Sequence, residues 1–206
     1  MTARPDAPAS ARNRRPILAL IRNEFRDFKS VLEIGSGTGQ HAVFFAEAMP
    51  WLTWQTSYLG ENHMGIRSWI SDRGLPNVLD PILLDVERAE AVDGEYDGVF
   101  SANTAHIMSM QAVRCMFDVV GRVLSPGGLF CLYGPFNLDG RFTSQSNEHF
   151  DESLRSRDPA MGIRHLEELD DLAGKSSMCR ERLYAMPANN LIVTWRNNRG
   201  SSNDDT

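Results

Sequence analysis

Long apolar runs and paired cysteines are both missing from this sequence. No stretch approaches the roughly 18 apolar residues of a membrane span. The three cysteines, Cys115, Cys131 and Cys179, form no CxxC pair and lie near no histidine at metal-ligand spacing. We therefore expect no membrane helix, no disulfide framework and no metal centre, and this cysteine usage favours a cytoplasmic location.

Positive charge is also in short supply. The chain has 21 lysines and arginines against 27 aspartates and glutamates, which makes the formal net charge -6. Proteins that hold nucleic acid normally present a basic face, so this balance favours a small-molecule partner over a nucleic acid. Arg12, Arg14 and Arg15 form one local basic patch, which we interpret as part of a solvated arm. The sequence indicates no oligomeric state.

The ends of the chain differ in composition from its middle. Residues 1–10 contain proline and alanine but lack the apolar stretch of a signal peptide. We expect a flexible arm over residues 1–10, a single domain over residues 11–196 and a flexible polar tail over residues 197–206.

The middle of the chain alternates short apolar strands with amphipathic helices. The predicted strands are Val31–Ile34, Trp51–Tyr58, Val78–Leu84, Tyr96–Ser101 and Leu129–Tyr133. The predicted helices begin at Pro16 or cover His41–Met49, Met64–Asp72 and Gln111–Leu124. This alternation predicts an α/β fold with a parallel sheet and helices on both faces.

The alternation breaks after the fifth predicted strand. Residues 134–165 are polar, aromatic and charged, and we expect them to form an inserted lid over the strand ends. A helix over Leu166–Leu172 and two strands, Arg182–Met186 and Leu191–Trp195, follow. The two strands predict an antiparallel C-terminal hairpin that completes a mostly parallel seven-stranded sheet.

Three alternate glycines follow the first predicted strand, in Glu33-Ile-Gly35-Ser-Gly37-Thr-Gly39. Glycine permits positive φ angles and close approach of the backbone to a ligand, and the helix beyond offers free N–H groups. The segment Gly37-Thr-Gly39-Gln-His-Ala42 also matches the looser GxGxxA dinucleotide fingerprint. The loop alone therefore leaves both kinds of cofactor open.

Three motifs in this order resemble class I methyltransferases. The glycine loop resembles their motif I, Leu84-Asp85-Val86 lies where an acid often faces the adenine amine, and Leu124-Ser-Pro-Gly-Gly128 resembles their turn before strand five. The resemblance implies a Rossmann-like class I methyltransferase fold and S-adenosyl-L-methionine as the cofactor, with S-adenosyl-L-homocysteine as the product.

A narrower pattern covers residues 10–196 and is similar to the poorly characterised family whose animal member is named methyltransferase-like protein 26. The segments that carry it are Arg12-Asn13, Leu32–His41, Asn147, Phe150-Asp151, Leu154-Arg155, Arg157-Asp158-Pro159, Gly162-Ile163-Arg164 and Met186–Leu191. The resemblance implies a cofactor site but names no substrate for every member.

Twelve residues are the expected contacts of the cofactor. They are Asn13, Glu33, Gly35, Ser36, Gly37, Gly39, His41, Tyr58, Asp85, Val86, Ser101 and Asn103. Tyr58 departs from the pattern, because class I methyltransferases usually have an acid there that bonds both ribose hydroxyls. A phenol can bond one hydroxyl but cannot chelate two, and Glu61 would substitute only if its loop folded back.

The segment Ser101-Ala-Asn103-Thr-Ala-His106 follows strand four, the usual edge of the acceptor pocket in this fold. His106 is a candidate general base, or alternatively a hydrogen-bonded structural histidine. Asn103 and Tyr133 complete the predicted catalytic set. The predicted substrate contacts are Arg12, Phe136, Arg141, Asn147, Phe150 and Arg164. Arg155 could join them, or form a helical pair with Asp151.

Three functions fit the sequence. The first is methyl transfer to oxygen, nitrogen or sulfur of a small molecule, for example in secondary metabolism. The second is a non-catalytic binding or assembly protein that keeps the fold, with Tyr58 as its support. The third is a nicotinamide-dependent oxidoreductase, which only the GxGxxA match supports.

Overall fold

The computed structural model describes residues 5–88, 92 and 94–200. Its strands are β1 Ser30–Glu33, β2 Thr53–Tyr58, β3 Val78–Leu83, β4 Tyr96–Ala102, β5 Leu124–Gly134, β6 Phe136–Asn137, β7 Arg164–His165, β8 Met178–Met186 and β9 Asn190–Asn197. Its helices are α1 Pro8–Glu24, α2 Gln40–Ala48, α3 His63–Arg73, α4 Met110–Val123, α5 Gln145–Arg157 and α6 Leu166–Lys175, with a 3₁₀ turn over Gly60–Asn62.

Seven strands form one sheet in the order β3-β2-β1-β4-β5-β9-β8. β1 to β5 run parallel to one another, whereas β9 runs antiparallel to both β5 and β8. This confirms the predicted mostly parallel seven-stranded sheet with an antiparallel C-terminal hairpin. The carboxyl ends of β1 to β5 consequently meet at one edge, where loops can build a site.

The sheet separates two hydrophobic clusters. Helices α1 and α2 cover one face, where Phe25, Phe45 and Trp54 are fully buried. Helices α4 and α6 cover the other face, where Phe117 and Trp195 are fully buried. The apolar side chains of α4 recur at helical spacing, and their burial against the sheet is the main stabilisation of this amphipathic helix. Among the described residues, no helix is long and apolar enough to cross a membrane.

Helix α1 begins earlier than the sequence analysis predicts. Pro8, rather than Pro16, occupies its first turn, and Pro16 lies inside the helix. Residues 8–10 of the predicted flexible arm are therefore helical, while residues 1–4 lie outside the described part of the chain. Burial of Ile17, Ile21 and Phe25 against the sheet offsets the backbone hydrogen bond that an internal proline loses.

Residues 134–165 are more regular than predicted. They contain helix α5 and a two-stranded parallel sheet of β6 and β7. The Ser144 side chain caps α5 by accepting a hydrogen bond from the Asn147 N–H. We call residues 134–165 the insert.

The hairpin and the start of β5 also differ in detail from the predictions. β8 and β9 are longer than predicted, and Ala188 and Asn189 form their turn with φ angles of 58° and 55°. Ser125–Gly128, expected as a turn, belongs to β5 across a shift in its pairing with β4. Residues 197–200 of the predicted flexible tail are described, and the Asn198 N–H donates to the Ser177 carbonyl.

Candidate functional site

The three glycines after β1 have different reasons to be glycine. Gly35, Gly37 and Gly39 have φ angles of 75°, 56° and 89°, values that side chains other than glycine rarely adopt. A Cβ at Gly35 would lie 2.7 Å from the Thr104 methyl group, and one at Gly39 would lie 3.0 Å from the Ile66 Cα. A Cβ at Gly37 would meet no atom within 4 Å. Gly37 therefore leaves free space above the loop.

Three adjacent cavities lie along the carboxyl edge of the sheet. The β3-side cavity, about 320 Å³, is lined by residues that include Tyr58, Asp85 and Val86. The loop cavity, about 360 Å³, is lined by Gly35, Ser36 and Gly37, among others. The α1 cavity, about 340 Å³, is lined by Ala9, Arg12, Asn13, Pro16, Asn103, Tyr133, Pro187, Ala188 and Asn190. The first two share Gly35 and Tyr58, and the last two share Ala9 and Asn103.

The β3-side cavity is mainly apolar with acidic groups at its rim. Its lining includes the apolar residues Leu84, Ile107 and Met108. Asp85 and Glu87 supply carboxylates. The Asp85 carboxylate accepts a hydrogen bond of 3.1 Å from the Glu87 N–H. An apolar slot beside a carboxylate can hold a flat heterocycle that carries an amino group.

Tyr58 lies at the end of β2, where it lines both the β3-side cavity and the loop cavity. Its carbonyl accepts hydrogen bonds from the Leu84 N–H and from the ring of His63. Glu61 is exposed in the 3₁₀ turn and is not among the residues that line the three cavities. The loop therefore does not fold back to place Glu61 where the usual acid would be.

Glu33 and Ser101 support the glycine loop from beneath instead of lining the cavities. The Glu33 carboxylate accepts a hydrogen bond of 3.1 Å from the Trp54 indole, and burial raises its pKa to about 7. The Ser101 hydroxyl donates to the Ile34 carbonyl over 2.8 Å and contacts the Thr104 hydroxyl at 2.7 Å. Both side chains are almost completely buried. Both side chains hold the loop in position, and their direct contact with a cofactor stays a prediction.

The N-terminal segment forms a wall of the loop cavity, through Pro5, Ala7, Ala9 and Ser10. The Gln40 side chain accepts a hydrogen bond of 2.6 Å from the Ala7 N–H and donates one of 2.7 Å to Asp6. The Trp69 indole donates to the Pro5 carbonyl over 2.9 Å. No motif in the sequence predicted this wall, although Pro8 at a first helical position was a signal for an earlier start of α1.

A chain of polar side chains connects the loop cavity to the α1 cavity. The His41 Nε2 atom lies 2.7 Å from the Asn13 Oδ1 atom, and the Asn13 side chain interacts with the Tyr133 hydroxyl. Burial, and next the charge of Arg14, lower the pKa of His41 to about 4. Burial raises the pKa of Tyr133, and the Asn13 side chain has a smaller, opposing effect on it. At neutral pH these three linked side chains are therefore a neutral imidazole, an amide and a protonated phenol.

His106 does not have the surroundings of a general base. Its ring is buried 5.3 Å from the ring of Phe150, and its carbonyl accepts a hydrogen bond from Gly162. Burial, and next the charges of Arg164 and Arg157, lower its pKa to about 4. It lines none of the three cavities. The structure favours the alternative interpretation of His106 as a structural residue.

The five substrate contacts predicted in the insert also line none of the three cavities. The Arg164 guanidinium is buried and donates to the carbonyls of Ala105, Met108 and Ala160. The Asn147 amide donates to the Asn189 carbonyl over 3.0 Å. Both side chains therefore form hydrogen bonds with main-chain groups of the protein itself.

The other predicted substrate contacts in the insert differ in burial, but none of them lines a cavity. Phe136 is 1 % exposed and belongs to the core beneath α4. Arg141 is exposed, and its backbone pairs with Leu138. Phe150 is half-buried against His106. Asp151 and Arg155 form the 2.6 Å helical ion pair that was the alternative prediction from the sequence.

Among the described residues, no cluster of histidine, cysteine or acidic side chains could hold a metal ion.

The strand order, the glycine loop and the cavities at the sheet edge define a protein of the methyltransferase-type α/β fold. The chain belongs to the family described as protein of unknown function DUF938, whose model matches residues 4–197. The narrower resemblance to the methyltransferase-like protein 26 family stays a prediction.

Solved structures with this fold include several methyltransferases. The mitomycin 7-O-methyltransferase MmcR is 19% identical with a TM-score of 0.80, and the match covers 92% of this chain and 54% of MmcR. An O-methyltransferase family protein from Burkholderia thailandensis is 15% identical with a TM-score of 0.79, over 92% and 57% of the two chains. Human N-acetylserotonin methyltransferase, in complex with SAM, is 14% identical with a TM-score of 0.75, over 91% and 52%. The chain thus spans about half the length of these proteins.

Proposed function

We propose that this protein transfers a methyl group from S-adenosylmethionine to a small molecule held in the α1 cavity. The observation that carries the proposal is the line of three adjacent cavities with the glycine loop at its centre. A cofactor with a heterocycle at one end and a charged amino acid at the other needs two such cavities, and the third is left for an acceptor.

The residues present fit the cofactor at both ends. The space above Gly37, which a Cβ would occupy, would admit the amino-acid portion beside the N-terminus of α2. The Asp85 carboxylate and the Val86 backbone would receive the adenine, and the Tyr58 hydroxyl would bond one ribose hydroxyl. The solved methyltransferases with the same fold support this choice of cofactor, since one of them is a complex with SAM.

When bound, S-adenosylmethionine supplies an electrophilic methyl group on a sulfonium. An acceptor atom forms the new bond to that carbon, while the carbon–sulfur bond breaks and its electron pair stays on sulfur. The protein's part is to orient the two reactants and to exclude water between them. Asn103 lines both the loop cavity and the α1 cavity, and its N–H donates to the Tyr133 carbonyl. It is therefore well placed to orient the acceptor.

The lining of the α1 cavity contains no side chain that accepts a proton readily at neutral pH. Arg12 is cationic, Asn13 and Asn103 are amides, and burial keeps the Tyr133 phenol protonated by raising its pKa. The proton of a hydroxyl acceptor would therefore pass to water at the mouth of the cavity. This favours an acceptor whose nucleophilic atom ionises easily without a protein base.

Calorimetric titration with S-adenosylhomocysteine, with NAD as the control ligand, tests the proposal. We expect micromolar binding of S-adenosylhomocysteine alone. Gly37→Val should abolish this binding because its side chain would fill the free space above the loop. Binding of NAD alone would support an oxidoreductase, and binding of neither would make a non-catalytic role the leading explanation, with Tyr58 as its cause.

The remaining parts of the functional hypothesis rest on the sequence. We keep the small-molecule acceptor, a role in secondary metabolism and a cytoplasmic location as proposals. The division into residues 1–10, 11–196 and 197–206 is also kept as a proposal for the domain, although part of the first segment is structured.

A further inference from the structure

One wall of the α1 cavity is formed by a single face of helix α1. Ala9, Arg12, Asn13 and Pro16 recur at the i, i+3, i+4 and i+7 spacing of one face of α1. Asn103, Tyr133 and the β8–β9 turn form the rest of the lining. The volume of about 340 Å³ lies at the low end for ligand pockets, so it suits a molecule of about one ring.

Arg12 is the one charged residue in this lining, which contains no acid. Within the described part of the chain, Arg12 has no ion-pair partner, whereas Arg155, Arg180 and Arg196 each have an acidic one. Arg14, two residues further along the helix, is stacked over the ring of Phe44 at 4.6 Å. An unpaired guanidinium at a cavity without carboxylates attracts an anion and can hold a carboxylate by two parallel hydrogen bonds.

Tyr133 lines the same cavity with an uncharged side chain, in contrast to the charged Arg12. Its side chain is 4 % exposed, and Asn13 interacts with its hydroxyl. The Asn13 Oδ1 atom in turn lies 2.7 Å from the His41 ring. The hydroxyl of this buried ring can donate to or accept from an uncharged polar group of a ligand.

We infer that the methyl acceptor is a small hydroxy acid, whose carboxylate binds Arg12 and whose hydroxyl contacts Tyr133. This inference rests on the proposed function and names its substrate class. The hydroxyl is of the acidic kind, phenolic or enolic, because the lining offers no base. In the reaction its oxygen forms a bond to the methyl carbon, the carbon–sulfur bond of the cofactor breaks with the electron pair left on sulfur, and the hydroxyl proton goes to water.

The test compares ligands that differ only in the anion. The purified protein, saturated with S-adenosylhomocysteine, is titrated calorimetrically with 3- and 4-hydroxybenzoate and with the matching hydroxybenzamides as probes. We expect at least one hydroxybenzoate to bind about ten-fold more tightly than its amide. In Arg12→Gln this preference should disappear through loss of hydroxybenzoate affinity, with the amide unaffected.

Arg15→Gln is the matched control, because Arg15 is exposed on the same helix and does not line the cavity. It should keep the preference and the thermal stability of the natural protein. Equal affinity for acid and amide, a preference that survives in Arg12→Gln, or no binding of any probe while S-adenosylhomocysteine binds would each overturn the inference alone. Failure of S-adenosylhomocysteine to bind would instead overturn the proposed function, and this inference with it.

Discussion

The N-terminal segment, residues 5–16, and the insert, residues 134–165, are both polar parts of the chain, but only the first contributes to the cavities, where it lines the loop cavity and the α1 cavity. In the insert, Arg164 donates to main-chain carbonyls and Asp151 accepts from Arg155 and from the Ile163 N–H. On the face of α1, Arg12 has no ion-pair partner among the described residues.

The difference separates polar groups that stabilise the fold from polar groups that can bind a ligand. Buried polar side chains are normally hydrogen-bonded, and those of Asn147, Asp151 and Arg164 in the insert form these bonds within the protein. A side chain at a cavity can leave hydrogen-bonding capacity for a ligand. Substitutions in the insert should therefore change the free energy of unfolding, and substitutions on the α1 side should change binding.

The largest expected effect is that of Arg164→Met. It leaves the carbonyls of Ala105, Met108 and Ala160 without their donor, so we expect the free energy of unfolding to fall by about 4 kcal/mol. Urea denaturation measures this, with Arg155→Met as the half-exposed control that should lose at most about 1 kcal/mol. Unchanged stability, with a specific loss of acceptor binding, would return Arg164 to the substrate site.

His106 should show a pH-dependent effect on stability. Its pKa is about 4 in the folded protein against 6.5 as the unfolded reference, so the unfolded state binds more protons between these values. The stability contribution of the neutral ring is therefore lost as the pH falls from 6.5 to 4. Over this range in urea denaturation, the free energy of unfolding of His106→Gln should fall by about 3 kcal/mol less than that of the natural protein.

Titration of Glu33 has the opposite effect on the free energy of unfolding. This effect cancels when the natural protein is compared with His106→Gln. The pKa of Glu33 is raised from 4.5 to about 7, so its buried carboxyl contributes more stability as the pH falls through that range. Both proteins retain Glu33, and the difference between them reports on residue 106. A difference that does not change with pH, or a loss of methyl transfer without loss of stability, would argue that His106 acts in the site.

On the α1 side, Tyr133→Phe should change binding of the acceptor with little change in stability. The variant loses the hydroxyl that interacts with Asn13 but keeps the buried ring. We expect about ten-fold weaker binding of the hydroxybenzoate probe and unchanged affinity for S-adenosylhomocysteine. Weaker binding of both ligands would place the Tyr133 hydroxyl in the cofactor cavity.

The smallest expected effect is that of Gln40→Ala, which removes the hydrogen bonds that hold Ala7 and Asp6. Because this segment covers the loop cavity, S-adenosylhomocysteine should dissociate about five-fold faster, which corresponds to about 1 kcal/mol. Stopped-flow fluorescence measures the rate, and Gln111→Ala on the exposed side of α4 is the control. An unchanged rate would mean that the segment does not retain the ligand.

Much of the sheet could be predicted because its signals are local. Apolar runs between glycine and proline breaks located all seven strands of the main sheet to within a few residues, and the glycine loop was recognised from its own spacing. Asp85 and Val86 were placed in the site by their position at the end of β3. Side chains at the carboxyl ends of parallel strands are brought to one edge by the sheet itself.

The contacts of the insert and of α1 could not be predicted from local sequence signals. The insert is polar like a surface lid, but its partners are main-chain groups such as the Ala105 carbonyl, 59 residues from Arg164. The role of α1 depends on Gln40 and His41, which are distant in sequence from Ala7 and Asn13. No periodicity or motif reports such contacts.

The sequence by itself determined the order along the chain of the main-sheet strands and of the helices outside the insert, and it determined the positive-φ loop, because both follow from the conformational preferences of neighbouring residues. Only the tertiary structure decided which polar side chains face the cavities. Arg12 and Arg164 are the same residue type, yet one lines a cavity without an acid and the other is enclosed by carbonyls. Long-range packing makes that choice, because it settles which hydrogen-bonding groups are satisfied within the protein.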